Sequence, residues 1–378
     1  MKILYENDFI PSDLEKSIKE NKVLHPFFEL GFNGIKIKNY CGFLHIKNET
    51  FFISPKISKN KEQNQKIFLY MLMYAKDIKL SNEDMRNLLN QKYTILEFFI
   101  KYFSDKLLEE LKVGVFKTYI RLQESLKVLK GSYKIEKNFT SFYNQNIVCE
   151  YDEFSSDNEL NRFLLFAINN FKKFSNYKNL YRCEMVFDEV TLQHFEINSL
   201  NIKYDRLNKR YAKIVQIALF ILSHLISMPK NSKDKSFAFL FDMAEVFEKF
   251  IAKLYKKTDK TTKLQVEKSF GNLKLKPDII TQNSIIDTKY KKINSYEDIS
   301  TADKYQMFTY GINFNIKNIT LLYPKFYHNI EKKLQLGKES NQINLTIKTI
   351  DLDSQKEFLE YIEEIKIRLF PLAEPRTQ

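Results

Sequence analysis

Two short apolar runs, each carrying a carboxylate, constrain this chain more than anything else in it. Lys274–Thr281 reads KLKPDIIT and Ser284–Lys292 reads SIIDTKYKK. Asp278, straight after Pro277, and Asp287 are nine residues apart, the span of a tight antiparallel hairpin. Asp287 and Lys289 are two apart, so they project from one face of their strand. Two carboxylates and an ammonium therefore converge at the edge of an otherwise apolar sheet, where charge costs several kcal/mol unless something pairs it. A divalent cation satisfies both carboxylates, and oxygen ligands without His or Cys select Mg2+ or Mn2+.

Such a centre suits metal-assisted hydrolysis of a phosphodiester, with Lys289 holding the attacking water or offsetting the charge that develops on the phosphate. Glu248, in FDMAEVFEKF, is the first choice for an extra carboxylate ligand. Glu245, on a neighbouring helical face, is the second, and the backbone carbonyl of Thr288 could complete the shell.

The flanking pattern gives an order of elements. After the polar stretch PKNSKDKS (Pro229–Ser236) come a helix, FLFDMAEVFEKFIAKLYKK, and three strand-like runs, LQVEKSF, KLKPDIIT and NSIIDTKYKK. A helix, TADKYQMFTYGINF, and a strand, NITLLYPK, follow, and the amphipathic helix DSQKEFLEYIEEIKIRLF closes the chain. The order α-β-β-β-α-β, with continuous apolar strands, describes a mixed sheet covered by helices on both faces. Residues 30–60 alternate instead with period two, in GIKIKNY, CGFLHIKN and ETFFISPKI.

Between these parts the spacing reads as helical over KIFLYMLMYA, ILEFFIKYFSDKLLEELK and YIRLQESLKVLK. A strand pair follows, SYKIEKNF with QNIVCEYDEF, then two helices: DNELNRFLLFAINNF, capped by Ser156 or Asp157, and RYAKIVQIALFILSHLIS, stopping near Pro229. The chain thus reads as an α+β multidomain protein. It has a small β unit over 1–60, a mainly helical region over 61–230 and an α/β domain over 231–378.

Composition narrows the function. The length of 378 residues, with 44% hydrophobic and 28% charged, suits two or three folded domains. Cys41, Cys149 and Cys183 are far apart and lack metal-ligand spacing, so a zinc site, an iron–sulfur cluster or a disulfide framework is poorly supported and a reducing cytoplasm fits. His25, His45, His194, His224 and His328 are scattered singly, with no Ser/His/Asp or Cys/His spacing. The apolar stretch Ile214–Ile226 is interrupted and too short to span a bilayer, so no membrane is expected.

A net charge of +13 invites a nucleic-acid reading, but only eight of the 60 basic residues are Arg, a Lys bias that AT-rich coding gives to proteins of any function. Local clustering decides. Between Lys253 and Lys276 eight lysines face only Asp259 and Glu267. Of these, Lys256, Lys257, Lys260, Lys263, Lys268, Lys274 and Lys276 form a stripe suited to phosphates of double-stranded DNA, without reading sequence.

The series PDII–SIIDTKYKK–YQMFTYG resembles the nuclease core of the McrC family, the cleavage subunit of McrBC-type modification-dependent restriction systems. FLFDMAEVFEKFI, RYAKIVQIALFIL, CEYDEFSSDNELNRFLLFAI and GIKIKNYCGFLHIKNETFFISPKI are similar to other parts of that family, over roughly residues 30–325. The resemblance implies a PD-(D/E)xK, restriction-endonuclease-like fold for 231–378 and a catalytic role for Asp278, Asp287, Lys289 and Glu248, supported by Thr288, Gln306 and Tyr310. It also implies a hexameric GTP-hydrolysing AAA+ partner that recognises 5-methylcytosine-type DNA, with the N-terminal β unit docking on that ring and stimulating its hydrolysis. No Walker-type Gly-rich Lys loop is present, so nucleotide hydrolysis is expected in the partner. The Gln306/Tyr310 pair also resembles the Q-x-x-x-Y helix of RecB-like nucleases, so the core alone leaves a stand-alone repair nuclease open. A nuclease-dead adaptor of an AAA+ ring is the third reading.

Overall fold

In the computed structural model, residues 2–46, 49–58, 60–78, 83, 88, 94–138, 146–227 and 236–371 are described. The chain forms two compact units, one of Met1–Lys92 with Ile226–Gln378 and one of Tyr93–Leu225.

The first unit opens with β1 (Lys2–Tyr5), α1 (Ser12–Glu20), β2 (Phe28–Gly31), β3 (Gly34–Ile37), β4 (Tyr40–Ile46), β5 (Glu49–Ser54) and α2 (Lys61–Ala75). The period-two pattern sends Ile35, Ile37, Leu44, Ile46, Phe51 and Ile53 into one core, which α1 covers with Leu14 and Ile18. Asn60 caps α2 by accepting from the Glu62 backbone N–H at 2.9 Å.

The second unit holds α3 (Ile95–Leu111), β6 (Thr118–Leu126), β7 (Ser132–Tyr133), one helical turn (Ile135–Asn138), β8 (Ile147–Ser155), α4 (Glu159–Phe171), α5 (Lys178–Met185) and α6 (Ala212–His224). Two expectations are corrected here. YIRLQESLKVLK is a strand over its first part, because β6 pairs antiparallel with β8 from Thr118↔Ser155 to Leu126↔Ile147. That unbroken ladder outweighs a helical spacing of a few leucines. Asn158, and neither Ser156 nor Asp157, caps α4, accepting from the Asn161 backbone N–H at 3.2 Å. Asp157 is engaged by the Arg162 guanidinium, which donates at 2.6 and 2.8 Å.

The chain then returns to the first unit with β9 (Leu225–Ser227), β10 (Phe237–Asp242) and α7 (Met243–Thr258). Most of the polar stretch expected as a boundary, 229–235, lies outside the described residues. The first sheet has the order β1-β5-β4-β10-β9. Phe239–Asp242, expected as the start of a helix, is therefore a strand paired with β4 from Phe237↔His45 to Asp242↔Tyr40. Gly42 permits this, since a Cβ there would sit 2.2 Å from the Phe239 carbonyl oxygen. The helix starts only where Asp242 caps it, accepting from the Ala244 N–H at 2.8 Å. Residues 1–60 thus share one sheet with residues 237–242, which differs from the three-part division.

The rest of the unit is β11 (Lys263–Leu264), β12 (Lys268–Phe270), β13 (Leu273–Leu275), β14 (Ile279–Ile280), β15 (Ser284–Thr288), α8 (Thr301–Phe314), β16 (Asn318–Pro324), β17 (Glu331–Leu336), β18 (Ile343–Ile350) and α9 (Phe358–Leu369). The second sheet runs β11-β14-β15-β16-β18-β17, antiparallel at β14–β15 and parallel at β15–β16 and β16–β18. The sequence reading stops at β16 and lacks β17 and β18. Helix α8 lies close on this sheet because Gly311 carries no side chain; a Cβ there would be 2.6 Å from Ile343 Cγ2. Among the described residues no helix is long and apolar enough to cross a membrane.

Candidate metal centre

Strand β15 lies between β14 and β16 and carries Asp287 opposite Leu321. Asp287 is 2% exposed. Its Oδ2 lies 2.7 Å from the Lys289 ammonium but accepts no hydrogen bond of regular geometry. Burial, and then the Asp278 charge, push its carboxyl above the usual range, with Lys289 opposing. Asp278 stands just before β14. Its Oδ2 accepts from the Thr288 backbone N–H at 2.8 Å and hydroxyl at 2.9 Å, and its backbone carbonyl accepts from the Gln265 N–H at 2.9 Å.

Lys289 extends the strand by donating its N–H to the Leu322 carbonyl at 2.9 Å, and its ammonium also donates to Gln306 Oε1 at 3.1 Å. The Gln306 amide donates to the Tyr310 hydroxyl at 3.2 Å, which donates to the Lys276 carbonyl at 3.3 Å. Burial, reinforced by the Asp287 and Asp278 charges, pushes the Tyr310 phenol up to about 12, so it stays neutral. A continuous polar line thus joins the Lys289 strand, α8 and the segment leading into Asp278. Ser300 caps α8 by accepting from the Asp303 N–H at 3.0 Å.

Glu248 faces this centre from α7. Burial first, then the Asp278 and Asp287 charges, push its carboxyl up to about 7. Gln265 donates a hydrogen bond to Glu248 Oε1, while Glu245 is paired with Lys249 one turn on. Among the described residues no three His, Cys, Asp or Glu side chains stand as a ready metal cage. Asp278, Asp287 and Glu248 are thus neighbours in charge but not yet a closed ligand set. Each of their oxygens that meets a protein donor meets Thr288, Lys289 or Gln265. The donor set is nonetheless all oxygen, with a buried carboxylate oxygen lacking a well-aligned donor, which fits a hard cation.

All seven stripe lysines are exposed. Lys256 is occupied, donating to the Lys260 and Thr262 carbonyls at 2.7 and 2.6 Å. Lys257 lies over the Tyr74 ring at 4.5 Å and lines a cavity of about 460 Å³ with Asp77 and Glu363.

Sequence reasoning misses Gln265 and Asp303. Gln265 bridges Glu248 and Asp278 from a left-handed backbone, φ 49°. Asp303 adds its charge to Asp287 and pairs with Lys291 at 3.2 Å. Gln265 carries no sequence signal; Asp303 sits three residues before Gln306, on the same helix face.

A family model described as McrBC 5-methylcytosine restriction system component matches residues 35–324, from β3 to the end of β16. Among solved structures, a chain from the refined half-complex of the tetradecameric assembly of Thermococcus gammatolerans McrB AAA+ hexamers with bound McrC shares the fold. It has a TM-score of 0.63 and 20% identity over 97% of this chain and 98% of that one. A chain from the cryo-EM structure of the Thermococcus gammatolerans McrBC complex has 22% identity and a TM-score of 0.49, covering 67% of this chain and 86% of that one. Curated proteins give no match. With the family model spanning well over half of its length, the chain belongs to the family of McrBC 5-methylcytosine restriction system components.

Proposed function

We propose that this chain is the Mg2+-dependent DNA endonuclease subunit of a restriction complex directed at 5-methylcytosine-type modification, and that its second sheet is a PD-(D/E)xK nuclease core. The observation that carries this reading is the convergence of Asp287 on β15, Lys289 just after it and Asp278 just before β14, with the Lys289 ammonium 2.7 Å from Asp287. Asp278, Asp287 and Glu248 would hold Mg2+ or Mn2+, with the Thr288 carbonyl as a further oxygen. A bound divalent cation supplies charge neutralisation at a scissile phosphate and a more acidic water.

The chain's own residues do the rest. Burial is the largest influence on Lys289 and works to lower it, but the charge and hydrogen bond of Asp287, with the Asp303 and Asp278 charges, together hold the ammonium above its ordinary value. A side chain that keeps its protons is no general base. Lys289 instead donates, orienting the attacking water and offsetting charge on the phosphate, while Gln306 and Tyr310 fix its direction. Lys260, Lys263, Lys268, Lys274 and Lys276 bind the backbone of double-stranded DNA without selecting sequence.

A metal centre and a phosphate-binding stripe give no means of choosing a modified site. Recognition and translocation therefore belong to a GTP-hydrolysing AAA+ ring, and a structural neighbour sharing this fold comes from an assembly of McrB AAA+ hexamers with bound McrC. The family match across both sheets favours this reading over a stand-alone repair nuclease. The test is cleavage of methylated and unmethylated plasmid by the purified chain, with and without the AAA+ partner and GTP. Cutting is expected only with partner, GTP, Mg2+ and methylation together. Efficient site-specific cutting by the chain alone, without nucleotide, would overturn the restriction-subunit reading.

A further inference from the structure

Glu6 follows β1, nearly the whole chain away from the metal centre, and is completely buried. Its Oε1 accepts from the Tyr290 hydroxyl at 2.8 Å and from the Lys56 backbone N–H at 3.1 Å, and its Oε2 accepts from the Cys41 thiol at 3.9 Å. Cys41 belongs to β4 and Lys56 follows β5, so three segments of the first sheet surround one carboxyl group. Burying an acid in this way is costly unless its oxygens are met by donors, and Tyr290 supplies the shortest of these bonds.

Tyr290 is the residue after Lys289. Regular pairing of β15 with β16 ends at Thr288↔Leu322, and one further bond, from the Lys289 N–H, closes the ladder. Beyond that point side chains set the path of the segment. The Tyr290 ring, 5% exposed, packs on Phe247 and Phe326 with centroids 6.0 and 5.8 Å away. Phe247 directly precedes Glu248 on α7. One buried tyrosine therefore touches both elements that carry the centre: the strand with Asp287 and Lys289, and the helix with Glu248. Helix α7 in turn issues from β10 of the first sheet, and Met243 donates its N–H to the Asn39 carbonyl at 2.9 Å.

We infer that Glu6 is a positioning residue for the metal centre, acting through the Tyr290 hydroxyl to hold the Asp287–Lys289 strand against the Glu248 helix. The N-terminal sheet is then a structural part of the nuclease centre as well as a neighbour of it. This rests on the metal-dependent reading above.

The test measures Mn2+ binding to the full-length chain by electron paramagnetic resonance of free Mn2+, which needs neither DNA nor partner. Glu6→Ala and Tyr290→Phe should each weaken binding about tenfold, the size seen when the partners that orient metal ligands are removed. Glu6→Gln should recover most of that affinity, because its amide oxygen still accepts from Tyr290. Tyr211→Phe removes a hydroxyl that donates to the Gly114 carbonyl at 3.0 Å in the other unit, and should bind as wild type does. If Glu6→Ala fails to fold by circular dichroism, Tyr290→Phe decides, since it keeps the ring and its packing. Wild-type affinity in Tyr290→Phe, with binding lost in Asp278→Ala, overturns the inference and leaves the metal reading standing. Absence of binding in wild type, or binding indifferent to Asp278→Ala, overturns both.

Discussion

Thr288 donates twice to one oxygen of Asp278, from its backbone N–H at 2.8 Å and from its hydroxyl at 2.9 Å. Both bonds go to Oδ2, so Oδ1 is the oxygen that would meet a cation. The pair also fastens the Asp278 segment to the end of β15, so the separation of the two carboxylates is set by local hydrogen bonds. A carboxylate held by charge-assisted donors is stiffer than one held by water.

Thr288→Val keeps the shape of the side chain and the backbone donor but removes the hydroxyl. Stability in denaturant titration without metal should fall by about 1 kcal/mol, the usual size for one such bond. Cleavage should fall by about tenfold, because Asp278 is then oriented by one donor. A variant equal to wild type in both measurements would show that the hydroxyl bond positions nothing.

Glu248 gives a pH signature. Its carboxyl is pushed up to about 7 in the folded chain by burial and by Asp278 and Asp287, from an ordinary value of 4.5. The folded state therefore holds an extra proton between those values. The stability from that proton is fully present below pH 4.5 and is lost as pH rises through 7. Glu248→Gln removes this loss, so in chelator its Tm relative to wild type should climb between about pH 5 and pH 8. Adding Mg2+ at the upper end should reverse the order, since a cation favours the ionised carboxylate that only wild type has. Parallel Tm curves for the two proteins, with and without Mg2+, would remove Glu248 from the ligand set.

The closeness of Asp278, Asp287 and Lys289 was legible in the sequence because its signal is local. Asp278, Asp287 and Lys289 are close in sequence, and a period of two suffices to put Asp287 and Lys289 on one face. Gln306 and Tyr310 were legible through family resemblance, and the fold joins them to Lys289 and to the Lys276 carbonyl. Long-range pairing was not legible. Phe239–Asp242 has the look of a helix start until β4 claims it, and Thr118–Leu126 until β8 does. Edge strand β17 is largely exposed and lysine-bearing, so it lacks the apolar alternation that marks a strand. Gln265 and Glu6 join the site from distant segments that no periodicity connects. The same pairing moves the useful boundary: a cut at residue 230, natural from composition, would strip β10 from β4 and expose that edge along Tyr40–His45.

The central claim is that Asp287 and Lys289 perform phosphodiester hydrolysis and do not merely brace the sheet. The most direct measurement is the rate of methylated-plasmid cleavage by full-length Asp287→Ala and Lys289→Ala, with partner, GTP and Mg2+, beside GTP turnover by the partner. Cleavage should be abolished in both variants, while circular dichroism and stimulation of the GTPase remain as in wild type, because neither side chain of the ion pair belongs to the apolar cluster of the sheet. Cleavage retained by either folded variant would contradict the account.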